Sequence, residues 1–196
     1  MLSSHSAPPS IRMPATYEDL IALPENRVGE LIDGELYSSP RPAARHAKAA
    51  SVLGMDLGTP FQRGRGGPGG WWIIDEPELH FGKDVLVPDL AGWRQERMAR
   101  IPNVPYFELA PDWICEVLSP ATAKLDTVRK LPRYARAGVQ YAWIVDPIHR
   151  RLEVFRQEQG HWVLVEVPEA NNRVRAAPFE AIELELDSLG LEDTPE

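Results

Sequence analysis

Residues 111–120 read Pro-Asp-Trp-Ile-Cys-Glu-Val-Leu-Ser-Pro, and a second apolar run, Tyr141-Ala-Trp-Ile-Val145, follows a helical interval that closes on Gly138. Each run has the length and composition of a buried strand. Gly138 suits the left-handed position at which helices end. The order strand, helix, strand over 113–145 predicts a right-handed crossover between two parallel strands, provided both belong to one sheet. Glu116 stands in the middle of the first run, and an ionised carboxylate buried without a partner is costly. Asp112, at the start of the run, reads as an exposed turn residue and not as that partner. Cys115 should face the opposite side of the sheet as a small core residue.

Outward from this unit, Tyr17–Leu23 reads as a short helix with Thr16 as N-cap and Pro24 as its stop. Asp33-Gly34 between two apolar alternations predicts a β-hairpin over 27–37. Residues 43–63 read as a helix ending near Gly58-Thr-Pro60. The loop GRGGPGG at 64–70 lacks the Lys-Ser/Thr ending of a phosphate-binding loop. Strands are predicted at 71–75, 78–81 and 85–93, a hairpin from 151–155 with 161–167, and a further strand within 173–186. The fold class is α/β or α+β. A lead-in at 1–15, one domain at 16–176 and an acidic segment at 177–196 complete the expected organisation.

The chain has 196 residues and a formal charge of −8. Seven acids and no Lys or Arg lie in 177–196, so the remainder is close to neutral. Basic residues gather at 41–65 and 129–136, either as solvated faces or as a phosphate-binding surface. The apolar runs are too short to span a membrane, and the polar N-terminus is not a secretory signal. Cys115 is the sole cysteine, which fits a reducing, cytoplasmic setting. Histidines 5, 46, 80, 149 and 161 show no metal-ligand spacing. The six tryptophans read as core.

Glu30, Asp89 and Glu116 each interrupt an apolar, strand-like run. Carboxylates clustered together repel unless a cation neutralises them, and Mg²⁺ is the hard ion that takes such oxygens together with phosphate. Pro88 places Asp89 at an edge or bulge, a common setting beside active sites. Thr122, Asp126, Lys130 and Tyr134 recur every four residues on one helix face. With Asp126 as N-cap, Lys130 would lie near the helix start and within reach of Glu116. There it could orient or deprotonate a water, or stabilise charge on a phosphate. The plain alternative is a surface Asp126–Lys130 pair.

The ordered set Gly-Glu-Leu-Ile-Asp-Gly-Glu (29–35), His46, Val-Pro-Asp (87–89), Ile-Cys-Glu-Val-Leu-Ser-Pro-Ala-Thr (114–122), Asp126…Lys130…Tyr134 and Gly-Val-Gln-Tyr-Ala-Trp-Ile-Val-Asp-Pro (138–147) resembles the Uma2 family over roughly 16–167. That family is similar to restriction endonucleases of the PD-(D/E)xK superfamily. The resemblance implies a mixed β-sheet core flanked by helices, with an additional N-terminal β-hairpin. It implies a Mg²⁺-dependent endonuclease (Mn²⁺ as substitute) hydrolysing DNA phosphodiesters. Asp89 matches the Asp of the PD element and Glu116 the D/E element, both as metal ligands, and Glu30 matches an auxiliary ligand. The superfamily lysine, two residues after the D/E, is Leu118 here, and Lys130 takes its place. Arg45, His46, Arg129 and Arg133 would contact DNA, with Asp126 and Tyr134 in support, and two strands to cut would call for a homodimer. The rival expectations are a non-catalytic nuclease-fold module that binds nucleic acid or protein, and a role for the acidic tail as a protein-interaction surface or a block on the groove.

Overall fold

A computed structural model describes residues 14–168 and 173–189; most of the expected lead-in and the end of the acidic segment fall outside these. The described chain runs α1 (Tyr17–Ile21), β1 (Arg27–Ile32), β2 (Glu35–Pro40), α2 (Ala44–Leu57), β3 (Trp71–Asp75), β4 (Leu79–Phe81), β5 (Asp84–Leu86) and β6 (Leu90–Arg94). It continues with β7 (Trp113–Val117), α3 (Leu131–Ala137), β8 (Tyr141–Asp146), β9 (Arg151–Glu158), β10 (His161–Glu166), β11 (Arg173–Val174) and β12 (Leu184–Glu185). A six-stranded sheet has the order β10-β9-β8-β7-β6-β3, and a four-stranded sheet the order β2-β1-β5-β4. In the larger sheet β7 and β8 are parallel, and the other neighbours antiparallel. The chain is α+β, with helices flanking a mixed sheet.

β7 and β8 are parallel neighbours joined through α3, as predicted, and Gly138 ends α3 at φ 91°. A side chain there would be strained. Asp33 and Gly34 both have positive φ, as a tight two-residue hairpin turn requires. Thr16 caps α1 in a reciprocal pairing with Asp19.

Alternation along β7 separates two layers. Trp113, Cys115 and Val117 pack with Ala49, Leu53 and Leu57 of α2. Ile114 packs with Leu131 and Tyr134 of α3, and Glu116 shares that face. The first layer also takes in Phe179, Leu184, Leu186 and Leu189. The Phe179 ring touches those of Phe61, Trp71, Trp113 and Trp143 at 4.6, 4.8, 4.9 and 5.5 Å. The described part of the acidic segment is therefore core on its apolar side, its carboxylates outward.

Two expectations fail. The run 85–93 is not one strand: β5 and β6 belong to different sheets, parted at Val87-Pro88-Asp89. Pro88 cannot donate to a ladder, and the chain passes between sheets there. Asp112 is not an exposed turn residue. It is buried, accepts the Arg94 N–H at 2.8 Å and pairs with Arg97 at 2.8 Å, which ties the start of β7 to the end of β6.

Candidate active site

The antiparallel register of β6 and β7 pairs Leu90 with Cys115. One step further, it brings Asp89 opposite Glu116. Asp89 Oδ2 accepts the Val117 N–H at 2.7 Å. Its Oδ1 lies 3.2 Å from His46 Nε2. His46 reaches it from α2, where His46, Ala49, Leu53 and Leu57 form the buried stripe.

Lys130 stands at the centre. Its ammonium lies 2.9 and 3.1 Å from the two oxygens of Glu116, 3.0 Å from Glu30 and 3.4 Å from Asp126. It also donates to the Val87 carbonyl at 2.9 Å. Glu30 Oε1 in turn accepts the Val87 N–H at 2.8 Å, so β1 grips the sheet junction and the lysine together. Tyr134, fully buried, donates to Glu116 Oε1 at 2.7 Å.

The helix that carries these groups is irregular for a reason. Leu125–Lys130 is a π-turn, with the Leu131 N–H bonded to the Asp126 carbonyl. Pro132, which has no N–H, comes directly after it in the first turn of α3. In a regular α-helix each step of four residues overshoots a full turn by about 40°. The wider π-turn offsets that drift between Asp126 and Lys130, and both, with Tyr134, face Glu116. Such bulges are frequent at functional sites.

Three carboxylates share one ammonium, and Asp89 lies beside them. Burial, only partly opposed by Lys130, holds the Glu116 carboxyl well above its usual range, and Asp126, Asp89 and Glu30 push it further. Burial likewise raises Asp126, against Lys130 and a hydrogen bond from Thr122. Burial would lower the Lys130 pKa, but Glu116 and Glu30 prevail and carry it well above the ordinary value, so it remains an ammonium. The side chains surround a cleft of about 330 Å³.

The Uma2 family, described as "Putative restriction endonuclease", matches residues 14–188. The chain belongs to the Uma2 family. A crystal structure described as a putative nuclease belonging to DUF820 from Anabaena variabilis is similar at 25% identity, with a TM-score of 0.73, over 90% of this chain and 97% of that one. No curated protein matches the chain.

In this Uma2 chain Glu30, Asp89, Glu116, Asp126 and Lys130 line one cleft, with Tyr134 directly behind Glu116. Asp126 is not an N-cap, because its own N–H bonds to the Thr122 carbonyl. Nor is Asp126–Lys130 a surface pair, since both side chains are buried. His46 is buried beside Asp89 and lines the cleft; its place on the apolar stripe of α2 was the available signal. Arg133, expected to grip DNA, is buried and paired to Asp33 and, at 3.2 Å, to Asp84. Arg45 and Arg129 are exposed.

Tyr134→Phe tests the support behind Glu116. Removing the hydroxyl leaves a buried carboxylate oxygen short of one donor, and a loss of about 1–3 kcal/mol in urea unfolding is expected. An unchanged unfolding midpoint would show that the hydroxyl is dispensable.

Proposed function

We propose that the chain is a Mg²⁺-dependent endonuclease that hydrolyses DNA phosphodiester bonds. The observation that carries the reading is the register that sets Asp89 opposite Glu116 beside a buried ammonium, in a cleft of a Uma2-family fold. The donor set fits a divalent cation. The carboxylates are all hard oxygen ligands, and their charge exceeds that of Lys130, which adds to the burial that raises the pKa of Glu116 and Asp126. Among the described residues no three His, Cys, Asp or Glu side chains form a ready-made cage; Lys130 keeps Glu30, Glu116 and Asp126 in place instead. Asp89 and Glu116 would hold the ion, Mg²⁺ or Mn²⁺, with water and phosphate completing the shell. Glu30, engaged by Lys130 and the Val87 N–H, holds the lysine and would be the auxiliary ligand in this reading. When bound, the cation offsets phosphate charge and makes a coordinated water more acidic.

The protein's own groups do the rest. The Val117 N–H and His46 fix both oxygens of Asp89. Lys130, held protonated among the carboxylates, offsets the negative charge that develops on the phosphate through its field. It does not take the water's proton. Arg45 and Arg129 supply exposed charge for flanking phosphates. Cutting two strands calls for two such sites and hence two copies of the chain. A single buried thiol accords with a reducing cytoplasm.

The test is cleavage of DNA, offered both as a single strand and as a duplex, after chelation, with Mg²⁺ then added back. Activity that vanishes with chelator and returns with Mg²⁺ is expected. Cleavage indifferent to chelator would overturn the reading. Absence of cleavage beside measurable DNA affinity would transfer it to a nuclease-fold binding module.

A further inference from the structure

The walls of the cleft restrict what can reach its floor. Glu116 and Lys130 are 1% and 3% exposed, so the reactive groups lie below the surface. The lining includes Val28, Pro40, Pro42, Val87, Pro120 and Ala121, interspersed with the hydroxyls of Ser39, Ser119 and Thr122. The valines, prolines and alanine are apolar side chains of low flexibility. Among the described residues lining the cleft, the Lys and Arg side chains are Lys130 and Arg41. Lys130 is held by carboxylates, and Arg41, at the rim, is paired to Glu76 at 3.1 Å.

A cleft of about 330 Å³ lies at the small end of ligand pockets, roughly 300–1,000 Å³. Intact duplex DNA offers two rows of phosphates and is held by basic surfaces. Apolar walls would desolvate those phosphates without pairing them, which is costly. An unpaired nucleotide offers something different: one phosphate flanked by a sugar and a base whose faces are apolar. That shape and polarity suit an acidic, cation-bearing floor between proline and valine walls.

Resting on the nuclease reading above, we propose that the cleft admits a single unpaired DNA strand. The scissile phosphate sits at the Asp89–Glu116–Lys130 floor and the adjoining sugar and base lie against the apolar walls. Cutting occurs at single-stranded, gapped or extruded positions and not within intact duplex.

Three labelled DNAs of one sequence test this: a single strand, a blunt duplex, and a duplex with a central unpaired segment. Each is incubated with the full chain and Mg²⁺, and binding is followed by fluorescence anisotropy in chelator. The single strand should be cut at least about tenfold faster than the blunt duplex, with cuts in the third DNA confined to the unpaired segment. Equal or faster cutting of the blunt duplex overturns the proposal. If nothing is cut, the nuclease reading fails by itself and anisotropy decides the cleft. Tighter binding of the single strand sustains the unpaired-strand site; equal or tighter binding of the duplex overturns it. Ala121→Trp, at an exposed wall position, should fill the cleft and lower single-strand affinity at least about tenfold at an unchanged thermal midpoint. Unchanged affinity in that variant also overturns it.

Discussion

Glu116→Gln is expected to abolish metal-dependent cleavage while leaving the protein as stable as before, or more so. The amide is nearly isosteric, and its oxygen still accepts from Tyr134. What disappears is one buried negative charge. That charge lies among Asp126, Asp89 and Glu30 with a single lysine to offset them all. Replacing a buried charge with a neutral group of similar shape is often neutral or stabilising, and Lys130 keeps Glu30 and Asp126 as partners. Catalysis has no such substitute. Losing one preorganised electrostatic group costs about 10²–10³-fold, and losing a metal-binding charge should cost at least as much. Cleavage rate and urea midpoint measured on one preparation separate the two effects. A variant that cuts within a few-fold of the parent protein removes Glu116 from the chemistry.

Lys130→Ala should do the opposite to stability. It strands Glu30, Glu116 and Asp126 in the interior without their cation. Breaking a buried pair from one side costs about 3–5 kcal/mol. The pH dependence follows from the directions of the shifts. In the parent protein the ammonium's pKa is raised on folding, so its stabilisation is complete below the unfolded lysine value of about 10.4 and is lost as pH rises through the folded one. Without it, the carboxyls Glu116 and Asp126, already raised on folding, have no opposing charge beside them. Stability of the variant then falls as pH climbs from their unfolded values, about 4, towards their folded ones. The gap between parent and variant should narrow in acid and widen towards neutrality. Thermal midpoints of both proteins across pH 5–8 provide the check, and a constant gap would show that the carboxylates are not what the lysine holds.

Much of this could be read from the chain because the decisive signals were local. Asp33-Gly34, Thr16 and Gly138 each need one backbone conformation that few residues supply. Glu30, Asp89 and Glu116 stood out because charge within apolar runs is physically anomalous. Lys130 was visible by its spacing from Thr122, Asp126 and Tyr134. The features that escaped depend on partners far along the sequence. Pro88 marked a break but not a change of sheet. Asp112 and Arg133 are polar residues whose burial is made tolerable by Arg97 and by Asp33 and Asp84, and nothing beside them in sequence announces those pairings. The π-turn at Leu125–Lys130 follows from reconciling Pro132 with a helix that must still aim Lys130 at Glu116. A four-residue spacing alone cannot reveal that.

Lys130 touches β1 through Glu30, the sheet junction through Val87, β7 through Glu116 and its own helix through Asp126. A contiguous fragment that contains all four must run at least from Glu30 to Lys130, through β2, the seam between the sheets and β7. The buried centre is therefore a property of the finished topology: a chain still emerging from synthesis, or one with its first hairpin detached, lacks the assembled cluster.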